Sequence, residues 1–222
     1  MDNVKVIEIK KSIFNANEID ADNLRKELKN KKTFLLNLMS SPGAGKTTTL
    51  IKLINYLKKD LKIAVMEADI DSDVDAIKIK NATGVESIQL HTGGMCHLDA
   101  EMTKQGLDNL KDNYDLIILE NVGNLVCPAE FDTGAVKNMM ILSVPEGDDK
   151  PLKYPLMFEV CDIVAINKID CMEFFDFSMD KVQEYIHMRN SKAVIYPICA
   201  KDGRGIEELG NRIKKEIEEW RK

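Results

Sequence analysis

Apolar residues recur along the chain in two rhythms. Short runs of strand length stand at Phe34–Met39, Ile63–Met66, Ser87–Leu90, Leu116–Leu119, Met139–Val144, Ile163–Ile166 and Val194–Ile198. Between most of them the apolar positions fall three or four apart, the period of an amphipathic helix, over Thr47–Lys59, Asp73–Ala82, Leu98–Lys111, Leu152–Val160, Asp180–Met188 and Ile206–Trp220. Strands apolar on both faces need helices on both sides. The alternation therefore predicts an α/β domain, with a mostly parallel central sheet of about seven strands covered on both faces. Residues 1–32 stand apart. Asn17–Lys32 reads as an amphipathic helix with Ile19, Leu24 and Leu28 on one face, after a short strand or irregular lead-in. The expected division is an extension over 1–32 and a main domain over 33–222.

Composition narrows the class. Of 222 residues, 44% are hydrophobic, enough for a core and too many for a disordered chain. Acids outnumber bases by 37 to 31, for a net charge of −6, so no basic face for nucleic acid is expected. No apolar run approaches the roughly 20 residues that span a bilayer, and no membrane partner is expected. The start, Met1-Asp2-Asn3-Val4-Lys5, lacks the apolar stretch of a secretory signal. Five cysteines without a framework spacing then read as reduced thiols in a cytoplasmic protein.

The sharpest local signal follows the first strong strand. Ser40-Ser41-Pro42-Gly43-Ala44-Gly45-Lys46-Thr47 fits the phosphate loop G-x-x-x-x-G-K-S/T, with Ser40 where the first Gly is usual. Gly43 and Gly45 let successive backbone N–H groups turn inward onto phosphate oxygens, and the helix beginning there adds its positive end. The cradle runs from Gly43 through Ala44 and Gly45 into Thr47 and Thr48, with Lys46 reaching the β- and γ-phosphates and the Thr47 hydroxyl on Mg²⁺. The main domain is thus expected to be a P-loop NTPase.

Asn167-Lys168-Ile169-Asp170 stands at another strand end, where ligands of open α/β sheets collect. The Asp170 carboxylate can accept from guanine N1–H and the exocyclic amine, whereas adenine has no such donor pair and would leave it unsatisfied. Lys168 would lie along the base and Asn167 would brace the loop. After the next strand, Ala200-Lys201 can present a backbone N–H to guanine O6. The nucleotide expected is GTP.

Two acidic segments follow strands. Glu120 ends an apolar strand in the position that holds Mg²⁺ directly or through water, and the Gly123 N–H three residues on can sense the γ-phosphate. In the run Glu67-Ala68-Asp69-Ile70-Asp71-Ser72-Asp73-Val74-Asp75, Asp69 and Asp75 are the candidates for Mg²⁺ contact and for positioning the attacking water; spacing does not assign the two roles. Asn124 stands where a water-orienting Gln would be useful, so slow intrinsic hydrolysis is expected.

Soft donors border these segments. Cys96 and His97 lie in a loop after Gly93-Gly94, and Cys127-Pro128 lies just beyond Gly123. Cys and His suit Zn²⁺ or Ni²⁺, but three donors make an incomplete closed site. A two-fold pair of chains would supply six. Cys161 and Cys199 read as core, and Cys171 as a neighbour of the base.

Four strings together, Ser41–Thr47, Gly94-Met95-Cys96-His97-Leu98-Asp99-Ala100, Glu120-Asn121-Val122-Gly123-Asn124-Leu125-Val126-Cys127-Pro128 and Asn167–Asp170, resemble the hydrogenase nickel-incorporation GTPases, the HypB family. The likeness runs from about Thr33 to the end. It implies a GTP-hydrolysing metallochaperone of the dimerising P-loop class that helps insert nickel into the nickel–iron hydrogenase large-subunit precursor, with a HypA-type nickel metallochaperone as partner. It also implies Zn²⁺ or Ni²⁺ on Cys96, His97 and Cys127 at the interface of a homodimer promoted by GTP. The N-terminal cysteine motif and the His-rich stretch of some members do not occur in this sequence, so nickel storage is not expected. Competing readings are a urease nickel-chaperone GTPase, a non-catalytic nucleotide-bound metal scaffold, and a signalling GTPase with incidental cysteines. The urease type carries Cys-Pro-His where this chain has Cys96-His97, and it lacks the Cys127 string.

Overall fold

The computed structural model describes residues 3–69 and 74–222, with side chains from residue 16 onward. Its elements are α1 (Asn3–Lys31), β1 (Phe34–Ser40), α2 (Lys46–Leu57), β2 (Ile63–Asp69), α3 (Val74–Thr83), β3 (Glu86–His91), α4 (Ala100–Asp108), β4 (Leu116–Glu120), α5 (Cys127–Glu130), β5 (Lys137–Ser143), α6 (Lys150–Lys153), α7 (Pro155–Val160), β6 (Ile163–Asn167), α8 (Met179–Arg189), β7 (Val194–Pro197) and α9 (Ile206–Arg221). The expected α/β architecture is present: one seven-stranded sheet in the order β3-β2-β4-β1-β5-β6-β7, every pairing parallel. The order reverses direction at β1. The loops after β1, β2 and β4 therefore meet on one side of the switch point, and those after β6 and β7 on the other.

The period-two alternation of β1 sorts the two helical layers. Phe34, Leu36 and Leu38 pack with Leu50, Leu53 and Ile54 of α2, Ile79 of α3, and Leu209, Ile213 and Ile217 of α9. Leu35 faces the opposite layer with Leu24 and Leu28 of α1, and Met39 packs there with Met157 and Phe158 of α7 and Ile186 of α8. Asn37 breaks this apolar strand. Its Nδ2 donates to Asn138 Oδ1 at 3.0 Å and its Oδ1 accepts from Asn121 Nδ2 at 3.2 Å, so three amides link β5, β1 and the residue just after β4 in one chain. A buried amide is tolerated where donor and acceptor are both used.

Several boundaries differ from the sequence expectation for identifiable reasons. The chain is helical from Asn3, where a strand or irregular lead-in was expected. Ile19 is 63% exposed, and the buried stripe of α1 is Ala21, Leu24 and Leu28. Spacings of three and four keep those residues on one face, whereas Ile19 precedes Leu24 by five and points elsewhere. The segment Leu152–Val160 is not one helix, because Pro155 opens a second one after Tyr154. Helix α4 starts at Ala100 rather than Leu98, because Asp99 caps it by accepting from Met102 N at 2.8 Å. Ile70, Asp71, Ser72 and Asp73, including the expected start of α3, lie outside the described residues. Among the described residues no helix is long and apolar enough to cross a membrane.

Leu24 is 3% exposed and touches the space over Gly134, where an added Cβ would lie 2.7 Å from Leu24 Cδ2. Leu24→Ala should therefore lower unfolding free energy by about 2–5 kcal/mol in a denaturant titration. A loss below about 1 kcal/mol would mean that α1 adds little to the core.

Candidate functional site

The phosphate loop is shaped by two glycines in left-handed conformation, Gly43 at φ 77° and Gly45 at φ 99°. Gly45 is the N-cap of α2, so the unpaired N–H groups of that helix open onto the loop. Ser40, the departure from the usual glycine, is put to use here. It is fully buried, its hydroxyl donates to the Ser41 carbonyl at 2.7 Å, and its Oγ accepts from Lys46 Nζ at 3.0 Å. The Ser41 hydroxyl donates to Glu146, whose other carboxylate oxygen accepts from the N–H and hydroxyl of Ser143, both at 2.7 Å.

Asn167 fixes the far end of the cleft. Its Nδ2 donates to the Ala44 carbonyl at 2.9 Å, and its Oδ1 accepts from Ala200 N at 3.1 Å. Lys168 Nζ reaches the Gly43 carbonyl at 2.7 Å. One side chain thus ties the phosphate loop to the segment after β7. A Cβ on Gly45 would stand 2.5 Å from Asn167 Nδ2, which explains why that position needs glycine beyond its φ. Thr48, Lys168, Asp170, Ala200 and Lys201 line a pocket beyond this tie, together with Cys171 and the 1%-exposed Cys199. Its size and its lone carboxylate suit a planar base with paired donors.

On the other side of Gly45 the cleft is acidic. Strand register places Glu67 of β2 directly beside Glu120 of β4. Both are buried, and each keeps its Oε2 without a hydrogen-bond partner. Asp69, Asp75, Thr47 and Lys46 line the same cleft, and Gly123 approaches so closely that a Cβ there would lie 3.4 Å from Lys46 Nζ. Burial pushes the Glu67 carboxyl up to about 7, helped by Asp75 and Asp69. Burial raises Glu120 further, to about 8, with Lys46 opposing and Glu67 adding repulsion. Orphaned carboxylate oxygens in a polar cleft fit a hard divalent cation with oxygen ligands such as Mg²⁺. Sequence reasoning passed over Glu67. Its signal is the two-residue spacing to Asp69 in one strand, which turns both toward the same face.

The soft donors assemble in part. The Cys127 thiol lies within hydrogen-bonding reach of Cys96, and that contact raises its pKa. His97 stacks on Phe131 with ring centroids 3.8 Å apart and planes at 11°. Its Nδ1 is buried without a partner, and burial lowers its pKa. Among the described residues, no three Cys, His, Asp or Glu side chains are grouped closely enough to hold a metal ion by themselves. Within one protomer the trio is two neighbouring thiols that interact, with an imidazole stacked on Phe131.

Residues 34–197 match the family model described as "CobW/HypB/UreG, nucleotide-binding domain". The hydrogenase/urease maturation factor HypB of Helicobacter pylori is 41% identical over 212 residues, covering 93% of this chain and 86% of that protein. The crystal structure of HypB from Helicobacter pylori in complex with nickel is similar at a TM-score of 0.87 and 40% identity, over 92% of this chain and 96% of that one. That of the hydrogenase maturation factor HypB from Archaeoglobus fulgidus is similar at 0.84 and 32% identity, over 91% and 99%.

Glu67 and Glu120 bind protons more tightly folded than unfolded, where a glutamate titrates near 4.5. Their contribution to stability is full below that value and is lost as pH rises through about 7 and 8. Without nucleotide or divalent cation, the denaturant midpoint should fall across that window relative to Glu67→Gln, whose amide has no proton to lose. Parallel pH curves for the two proteins would contradict this.

Proposed function

The chain belongs to the CobW/HypB/UreG family, and from that premise we propose that it is a GTP-hydrolysing nickel metallochaperone acting in hydrogenase maturation. The observation that carries this reading is the adjacency of two sites. A nucleotide cleft, with a base pocket beside it, is lined by Glu120 and Gly123, and four residues beyond Gly123 stands Cys127, whose thiol interacts with Cys96.

In this reading the N–H groups of Gly43, Ala44, Gly45, Lys46 and Thr47 hold the phosphates, and Lys46 turns from Ser40 toward the β- and γ-phosphates. Asp170 reads the guanine edge, with Asn167, Lys168, Ala200 and Lys201 forming its surroundings. Thr47 with one or two carboxylates from among Asp69, Asp75, Glu120 and Glu67 would hold Mg²⁺ directly, the others acting through water, and when bound it would neutralise phosphate charge. Asp69 and Asp75 orient the attacking water. Asn124, in place of a glutamine, keeps hydrolysis slow. Gly123 reports the γ-phosphate to the segment that carries Cys127, and loss of that phosphate loosens the soft-donor site.

Nickel is the cargo, on Cys96, His97 and Cys127, with Zn²⁺ able to take the same donors. Because one protomer lacks a closed set, the site is completed by a second copy, and GTP promotes that homodimer. The cytoplasmic partners are a HypA-type nickel metallochaperone and the hydrogenase large-subunit precursor. The Helicobacter pylori relative is named for urease as well as hydrogenase, which favours urease as a second recipient to be tested.

GTP incubated with the protein and Mg²⁺ should release phosphate, and Lys46→Ala should cut kcat/KM about 100-fold or more. No release by the parent protein would end the enzymatic reading. Separately, nickel affinity should differ between GDP and a non-hydrolysable GTP analogue, and Cys96→Ala with Cys127→Ala should abolish binding. Equal affinities in the two nucleotide states would remove the coupling.

A further inference from the structure

The N-terminal helix reaches both donor-bearing segments through one side chain. Asn17 Oδ1 accepts from Ala100 N at 2.9 Å, and Asn17 Nδ2 donates to the Asp132 carbonyl at 2.9 Å. Ala100 is the first residue of α4, three positions after His97, and its N–H has no partner inside that helix. Asp132 directly follows Phe131, the ring on which His97 stacks. The two anchor points of Asn17 therefore bracket the stacked pair, and the interacting thiols Cys96 and Cys127 lie on the same two segments.

Arg25, two turns further along α1, secures one of these segments. Its Nη2 donates to both carboxylate oxygens of Asp132 and its Nε to the Ala135 carbonyl at 3.0 Å. The same carboxylate accepts from Gly134 N at 2.9 Å, so Asp132 is held at its side chain and at its carbonyl. An asparagine amide is planar, with donor and acceptor at a fixed separation. A single amide bonded to both segments sets their spacing and register, which two independent contacts would not.

We infer that Asn17, supported by Arg25, is a positioning residue for the Cys96, His97 and Cys127 donor set, so that α1 acts as a strap holding the two donor segments in register. Partners one step removed from metal ligands commonly govern affinity by orienting them. The inference rests on the assignment of nickel to those three residues made above, and it gives α1 a task at that site.

The test uses the full chain and Ni²⁺ alone, titrated in competition with a chromophoric chelator and followed by thiolate-to-nickel absorption, with GDP affinity measured in parallel. Asn17→Ala should weaken nickel binding about 10-fold or more, and Asn17→Asp, which keeps the acceptor for Ala100 and loses the donor to Asp132, should fall in between. Lys104→Ala removes an exposed ion pair to Glu27 between the same two helices and should leave nickel affinity within about twofold. Asn17→Ala binding nickel like the parent protein would overturn the strap while leaving the nickel assignment intact. Equal losses of GDP and nickel affinity would also overturn it, since they mark a general loosening of the fold. A parent protein that binds no Ni²⁺, or keeps its absorption after Cys96→Ala with Cys127→Ala, would fail the underlying assignment and the strap with it.

Discussion

Two carboxylates buried side by side at the carboxyl edge of a parallel sheet set the terms for the rest of the molecule. Strand register, not loop flexibility, puts Glu67 beside Glu120. Burial leaves them poorly ionised alone, with Asp75 and Asp69 adding repulsion at Glu67 and with Lys46 opposing the effect of burial at Glu120, and each Oε2 has no hydrogen-bond partner. A fold that holds such a pair needs positive charge to arrive from outside. The topology puts the phosphate loop and the Gly123 turn next to it, so the acidic pair, Lys46 and the loop backbone line one cleft.

Asparagine amides recur where the fold must join separate segments without adding charge. Asn167 couples the phosphate loop to the residues after β7, Asn17 couples the segments after β3 and β4, and the Asn121–Asn37–Asn138 chain links the residue just after β4 to β1 and β5. Each amide spends both a donor and an acceptor, which keeps the desolvation cost low in places where a carboxylate or an ammonium would be expensive. The consequence is geometric. Segments distant in sequence are held at fixed separations by single side chains.

Much of this was legible in the chain. Unbroken apolar runs between helical periods were enough for the parallel sheet, because strands covered on both faces carry no alternating polar signal. The phosphate loop and the Asn167–Asp170 segment stood out because backbone geometry and hydrogen-bond chemistry restrict such segments to few residue types. Glu67 was not, since a lone acid near the end of an apolar strand reads as a strand boundary until a partner strand supplies Glu120. The bracketing role of Asn17 was invisible for a similar reason: its partners are backbone groups 83 and 115 residues away, and backbone groups leave no trace in sequence. Ile19 was misplaced because a hydrophobic residue one position off the helical stripe looks like part of it in a short window.

The soft donors show how a site can be held ready without being closed. Stacking on Phe131 engages the face of the His97 ring and leaves the in-plane lone pair of a neutral imidazole uncommitted. The Cys127 thiol, its pKa raised by Cys96, keeps its proton at neutral pH. A cation entering this set must displace a thiol proton, so uptake competes with protons and acid favours release. A carrier needs that balance. Donors already ionised and converged would hold a cation too firmly to surrender it, whereas protonated donors that are not yet grouped can bind and release it.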